Sequence, residues 1–106
     1  MKFIPSSKKE WVFKDKYKKS ILLENVPGEI LAVQESVHPE GKEITPHKHE
    51  DMSELFYIIE GKALAKIADK EFEVNTGDLI LIEKEEKHYL KFLKESKILV
   101  IKLKQI

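Results

Sequence analysis

The sequence predicts an all-β fold, a sandwich or barrel of about nine or ten short strands. Three observations point there. Runs rich in Val, Ile, Leu, Phe and Tyr recur between compact turn signals, among them Asn25-Val26-Pro27-Gly28, Pro39-Glu40-Gly41 and Asn75-Thr76-Gly77-Asp78. No stretch between those turns reads as a convincing helix. The chain is 106 residues long and 42% hydrophobic, enough to bury one core and too short for two domains.

Taken in order, Glu10 to Phe13 reads as a first short strand and Ser20 to Glu24 as a second. Glu29 to Val37 is a longer extended run, and Ile44 to His49 an extended piece carrying two histidines. Glu54 to Glu60 is a strand closed by Gly61. Ala63 to Ala68 pairs back through Asp69-Lys70 to Glu71 to Val74, and the next turn leads into Leu79 to Ile82. Lys87 to Phe92 and Lys97 to Lys104 complete the set. Gly41, Gly61 and Gly77 read as turn residues with unusual backbone angles.

Three strands are apolar on both faces: Leu55 to Ile59, Leu79 to Ile82 and Ile98 to Ile101. An antiparallel strand with one face in water alternates apolar with polar. Their outer faces therefore need cover, and a homodimer is expected to supply it, with residues 1–27 folding over the barrel or the partner. Tyr57 should face outward at that interface, and Trp11 should cover a barrel end.

Charged residues make up 36% of the chain, and all 19 basic residues are lysine. The formal net charge is zero with the signs interleaved, so no nucleic-acid footprint stands out. The Lys8-Lys9 and Lys18-Lys19 pairs read as solvated positions. Without cysteine, disulfides and thiolate metal sites are excluded. Residues 1–7 lack the apolar run of a secretory signal, and no apolar stretch approaches the length of a membrane span. A cytoplasmic protein with no membrane partner is the expectation. Abundant Lys and Glu without Cys is also a hyperthermophile-like composition.

Chemistry concentrates in one constellation. From Gly41 to Gly61 the chain reads G-x5-H-x-H-x4-E-x6-G, with His47, His49 and Glu54 at the lettered positions. Side chains alternate across an extended segment, so His47 and His49 point the same way. With Glu54 they can converge on one divalent cation. Alternation also turns His88 to the same face as Leu90 and Phe92, and Glu54 to the same face as Phe56 and Ile58. A carboxylate and imidazoles turned into a small core are costly to bury without a partner, and a metal removes that cost.

This pattern resembles the first signature of the cupin superfamily at every position. A second signature, G-x5-P-x-G-x2-H-x3-N, is matched in part by Gly77 and His88. Glu83 stands where the family has proline, Glu85 where it has its second glycine, and Phe92 where it has asparagine, which suggests a different turn before His88. The resemblance covers residues 28–104 and implies a double-stranded β-helix, or jelly-roll barrel. It places the family's metal ligands on His47, His49, Glu54 and His88. Three histidines and a carboxylate leave coordination positions open, which suits Fe, Mn, Ni or Co better than a closed structural Zn site, while the sequence leaves all five possible.

The expected pocket lining is Phe56, Ile58, Leu90 and Phe92, with Ile44 and Met52 near the rim. His38, beside Pro39, reads as a surface histidine, and Lys48, Glu50 and Asp51 as solvent-facing. An apolar pocket without arginine offers no bidentate clamp for carboxylate or phosphate, which counts against sugar-phosphate isomerases and 2-oxoglutarate oxygenases. The expected function is a metal-dependent oxidoreductase of dioxygenase type on a small, weakly polar substrate, with Glu54 able to serve as a base. A non-catalytic small-molecule or metal-binding module, or a metal-dependent isomerase or epimerase, is the alternative.

Overall fold

The computed structural model describes residues 1–105. Eleven strands are present: β1 (Lys2–Ile4), β2 (Val12–Phe13), β3 (Lys18–Lys19), β4 (Glu29–His38), β5 (Glu43–His47), β6 (Met52–Glu60), β7 (Lys62–Ile67), β8 (Lys70–Asn75), β9 (Leu79–Ile82), β10 (His88–Phe92) and β11 (Ser96–Lys104). One 3-10 turn at Ser6–Lys8 is the sole helical element among the described residues.

Two antiparallel sheets face each other. One runs β1-β9-β6-β11-β4, the other β5-β10-β7-β8. Their inner faces interdigitate through Phe56 and Ile58 of β6, Ile80 and Ile82 of β9, Ile98 and Val100 of β11, Ala63, Ala65 and Ile67 of β7, and Leu90 and Phe92 of β10. The period-two spacing of these residues is what a sheet packed on one face requires. The result is the jelly roll the sequence implies, with the core between the sheets.

The N-terminal region departs from expectation. Ser20 to Glu24 makes no ladder; the small hairpin instead pairs Val12 with Lys19 and Phe13 with Lys18. Two lysines read as merely solvated are thus its second strand. Trp11 does not close a barrel end: it stays 45% exposed, with the Lys18 ammonium 4.6 Å from its ring centroid. Lys2–Ile4 adds an unforeseen edge strand beside β9.

The outer faces are covered unequally. All four residues of β9 are buried within the protomer. Residues 6–9 lie against this side: the Ser6 amide donates to Asp78 Oδ1 at 2.7 Å, and Lys9 Nζ donates to the Tyr57 hydroxyl at 3.3 Å. Tyr57 sits directly across from Leu79, so this segment covers β9 and no partner is needed there. Cover is thinner toward β11 and β4. Leu99 and Ile101 are half-buried, and Ile30, Val33 and Val37 of the edge strand β4 are exposed.

Candidate metal centre

The two sheets bring the four predicted ligands together. His47 is the last residue of β5 and pairs directly across from His88, the first of β10. His49 lies just beyond β5, in the turn leading to β6. Glu54 projects from β6 in the opposite sheet. One ligand atom from each of the four lies within 4.8 Å of all the others. His88 and Glu54 are buried, at 1% and 6% exposure, while His47 and His49 sit nearer the mouth.

Backbone carbonyls orient two of the imidazoles. His47 Nδ1 lies 2.7 Å from the Thr45 carbonyl and His88 Nδ1 lies 3.1 Å from that of Glu86. A carbonyl only accepts, so each Nδ1 carries a proton, which leaves Nε2 as the nitrogen that can present a lone pair to a metal. This is how a metal-ligating histidine is normally held. Burial pushes the His88 pKa down, with His47 and His49 acting the same way against the opposing Glu86 carbonyl and Glu54 carboxylate. The neutral, ligating form is thereby favoured.

The decisive feature is how the ligand atoms meet. Glu54 Oε1 lies 2.8 Å from His49 Nε2 and 3.6 Å from His88 Nε2. Yet all three are buried polar atoms without a hydrogen-bond partner. The atoms are close, yet none forms a hydrogen bond with another. With one from His47 they form a group within 4.8 Å of one another. A polar atom buried unsatisfied costs about 1–3 kcal/mol, and one divalent cation would satisfy all three. The residues fit a metal.

The loop before His88 keeps a tight turn despite its altered sequence. Glu85 occupies the family's second glycine position and adopts φ +65°, the left-handed conformation glycine takes most readily. Its amide also donates to the His49 carbonyl, tying two ligand-bearing loops together.

Beside the ligands lies a cavity of about 220 Å³. Phe56 and Ile44 line it as expected, together with His47, Glu54 and His88. Ile58, Leu90 and Phe92 do not reach this lining; they are core residues at 1%, 0% and 1% exposure, packed between the sheets. Met52 is half-buried and also outside it. The lining is more polar than expected because the inner face of β4 carries Gln34, Ser36 and His38, and β11 adds Lys102. His38 is therefore half-buried in the cavity wall, not free on the surface. Its Nε2 hydrogen-bonds Ser36 Oγ at 2.9 Å, and its ring stacks on Phe92 with centroids 4.3 Å apart. Burial, then the Lys42 ammonium, holds its pKa below the ordinary value.

Residues 33–102 match the family described as "Cupin domain". The chain belongs to the cupin family. An uncharacterized protein of Methanocaldococcus jannaschii is 35% identical over 57 residues, covering 54% of this chain and 46% of that one. The cupin thus spans about half the length of that relative. A predicted oxalate decarboxylase from Thermotoga maritima superposes with a TM-score of 0.66 at 19% identity, covering 95% of this chain and 97% of its own. The cupin domain of Schizosaccharomyces pombe Cnp3 superposes with a TM-score of 0.68 at 13% identity, over 92% of this chain and 64% of its own. At such identities the likeness concerns the fold alone, and one fold hosts many chemistries. No helix among the described residues is long and apolar enough to cross a membrane.

Proposed function

We propose that this cupin is a metal-dependent oxidoreductase of dioxygenase type, holding one divalent transition metal on His47, His49, Glu54 and His88. The carrying observation is the convergence of three unsatisfied buried ligand atoms at the edge of a cavity. A metal there supplies Lewis-acid and redox chemistry at positions the protein leaves open. The protein's own groups do the rest. Phe56, Ile44, Ile98 and Val100 exclude water from one side of the cavity. Gln34, Ser36 and neutral His38 offer hydrogen bonds on the other. Glu54 belongs both to the ligand set and to the lining, so its carboxylate can accept a proton from bound substrate. A Lewis-acid isomerase is less well supported, because the chain lacks the arginine that would clamp a phosphate.

Anaerobic loading with Fe(II) or Mn(II), followed by oxygen-uptake measurements on small enols, diols, diketones and hydroxy acids, tests this reading. Uptake should require both metal and substrate. Metal retention with no uptake on any of them would identify a binding module instead.

A homodimer belongs to the same proposal. Ile30, Val33 and Val37 are 67%, 59% and 56% exposed on the outer face of an edge strand, and they continue the half-buried Leu99 and Ile101. Such a strip on an unpaired edge favours pairing with a second copy. Sedimentation equilibrium should return twice the 12.4 kDa chain mass, and Val33→Glu should shift it toward the monomer. A wild-type protein sedimenting at 12.4 kDa would rule the dimer out.

A further inference from the structure

The cavity contains one charged group that the ligand set does not use. Lys102 lies on β11 directly across from Glu54 of β6 on one side and Ala32 of β4 on the other. Its side chain is turned to the inner face with Ile98 and Val100, and it lines the cavity that holds His47, Glu54 and His88. It is half-buried. What sets Lys102 apart is its place in this lining, not its lack of an ion pair, since only Lys62 (with Glu73 at 3.3 Å) and Lys97 (with Glu35 at 3.7 Å) form one among the described lysines. Lys102 has no carboxylate within 4.0 Å among the described residues. Glu54 is its neighbour in register, but the Glu54 carboxylate is turned toward His49 and His88.

An inward ammonium without a counter-ion is unfavourable in a partly desolvated cavity. Lys102 is half-buried in the cavity wall, with its stem rising from the inner face. Opposed Cβ atoms on paired strands lie about 5 Å apart, so Lys102 and Glu54 border the same small volume. Gln34 and Ser36, further along β4, line the same cavity and offer neutral hydrogen bonds. At 220 Å³ the cavity is smaller than the roughly 300–1,000 Å³ of drug-sized ligand pockets.

We infer that Lys102 is the anion-recognition residue of the site, and that the substrate is a short carboxylic acid. Its carboxylate lies against the Lys102 ammonium while a second oxygen, a hydroxyl or keto group, faces the ligand cluster. This replaces the weakly polar substrate that the missing arginine suggests, since a lysine binds a carboxylate as a point charge without a fork. The second half of the inference rests on a metal at the four-ligand centre.

Glycolate and glycolamide separate the contributions, because they share size and hydroxyl group and differ in charge. Titration calorimetry on the metal-loaded protein should show glycolate bound more tightly. Lys102→Met should weaken glycolate about ten-fold, the size of a lost charge-assisted hydrogen bond, and leave glycolamide within about two-fold. Lys102→Arg should keep most of the preference, and metal content by elemental analysis should not change in either variant. Glycolate affinity within about two-fold of wild type in Lys102→Met, or a wild-type protein that does not prefer glycolate, overturns the inference. If Lys102→Met does not fold, metal-stripped wild-type protein decides. A glycolate preference that persists there belongs to the lysine, and one that vanishes belongs to the metal and refutes the assignment. Failure of the metal centre itself reads out separately, as wild-type protein that retains no metal.

Discussion

Replacing His88 by alanine should abolish metal retention while leaving the strands in place. His88 is 1% exposed, and its ring lies 4.2 Å from that of His47 and 5.6 Å from that of His49, centroid to centroid. No other imidazole can move into that position, because His38 is held by Ser36 and Phe92. Loss of groups that merely orient a ligand already costs about 10–100-fold in affinity, so loss of the ligand itself should cost more than 100-fold. Stability provides an independent readout. A ligand that binds only the folded state contributes about 2.7 kcal/mol at a hundred times its dissociation constant, which in a domain this size is about 10 °C or more in Tm. Chelation should lower the wild-type Tm by that order and leave His88→Ala unmoved. Lys48→Ala, at an exposed position between two ligands, should retain metal. If His47→Ala and His88→Ala both keep the wild-type metal content, the ligand assignment is wrong.

The candidate metal cluster was legible because its signal is local and chemical. Two histidines at i and i+2, a glutamate five residues on and a histidine on an inward strand face need no tertiary knowledge. The same alternation turned Glu54, Phe56 and Ile58 of β6 and His88, Leu90 and Phe92 of β10 inward, and all six are buried. On β4 one residue was misread, His38, which was taken for a surface histidine. The side of β4 facing the second sheet borders a polar cavity instead of the hydrophobic core, so Gln34, Ser36 and His38 line it while Val33 and Val37 are exposed. A strand beside a binding cavity inverts the usual pattern, and only the pairing of β4 with β11 reveals it. Ile58, Leu90 and Phe92 were misplaced by the converse error: inward is not the same as lining, and these three lie deeper than the cavity. The first strand of the N-terminal hairpin lies within the expected Glu10 to Phe13, but its second, Lys18–Lys19, was missed because a two-residue strand of exposed lysines carries no burial signal.

Gly61 should be the least replaceable residue outside the ligand set. It is the single residue between β6 and β7, where the chain crosses from one sheet to the other, and its φ is +136°. A Cβ built there would collide with Ser96 Oγ and Cβ and lie 2.7 Å from Ser96 Cα. The last contact is with backbone, so no side-chain rotation relieves it. Ser96 is itself 2% exposed and fixed, its Oγ accepting from the Lys62 amide at 3.1 Å and donating to the Lys94 carbonyl at 2.9 Å. Gly61→Ala therefore combines backbone strain of about 1–3 kcal/mol with overpacking of about 1–3 kcal/mol. That is a large share of the roughly 5–15 kcal/mol that holds a domain together. Gly41→Ala is the matched control: φ is +85° and nothing lies within 4 Å, so the backbone cost alone remains, about 1 kcal/mol. Urea unfolding should rank the two variants well apart, and Gly61→Ala with Ser96→Gly should recover part of the loss. Equal costs for the two single variants would show that the close approach to Ser96 is not what requires glycine. The crossover also has a functional consequence. β6 carries Glu54, and β7 pairs Ile67 with His88, so a shift at Gly61 moves one ligand relative to the other. Gly61→Ala should lose metal affinity along with stability, whereas Gly41→Ala should keep it.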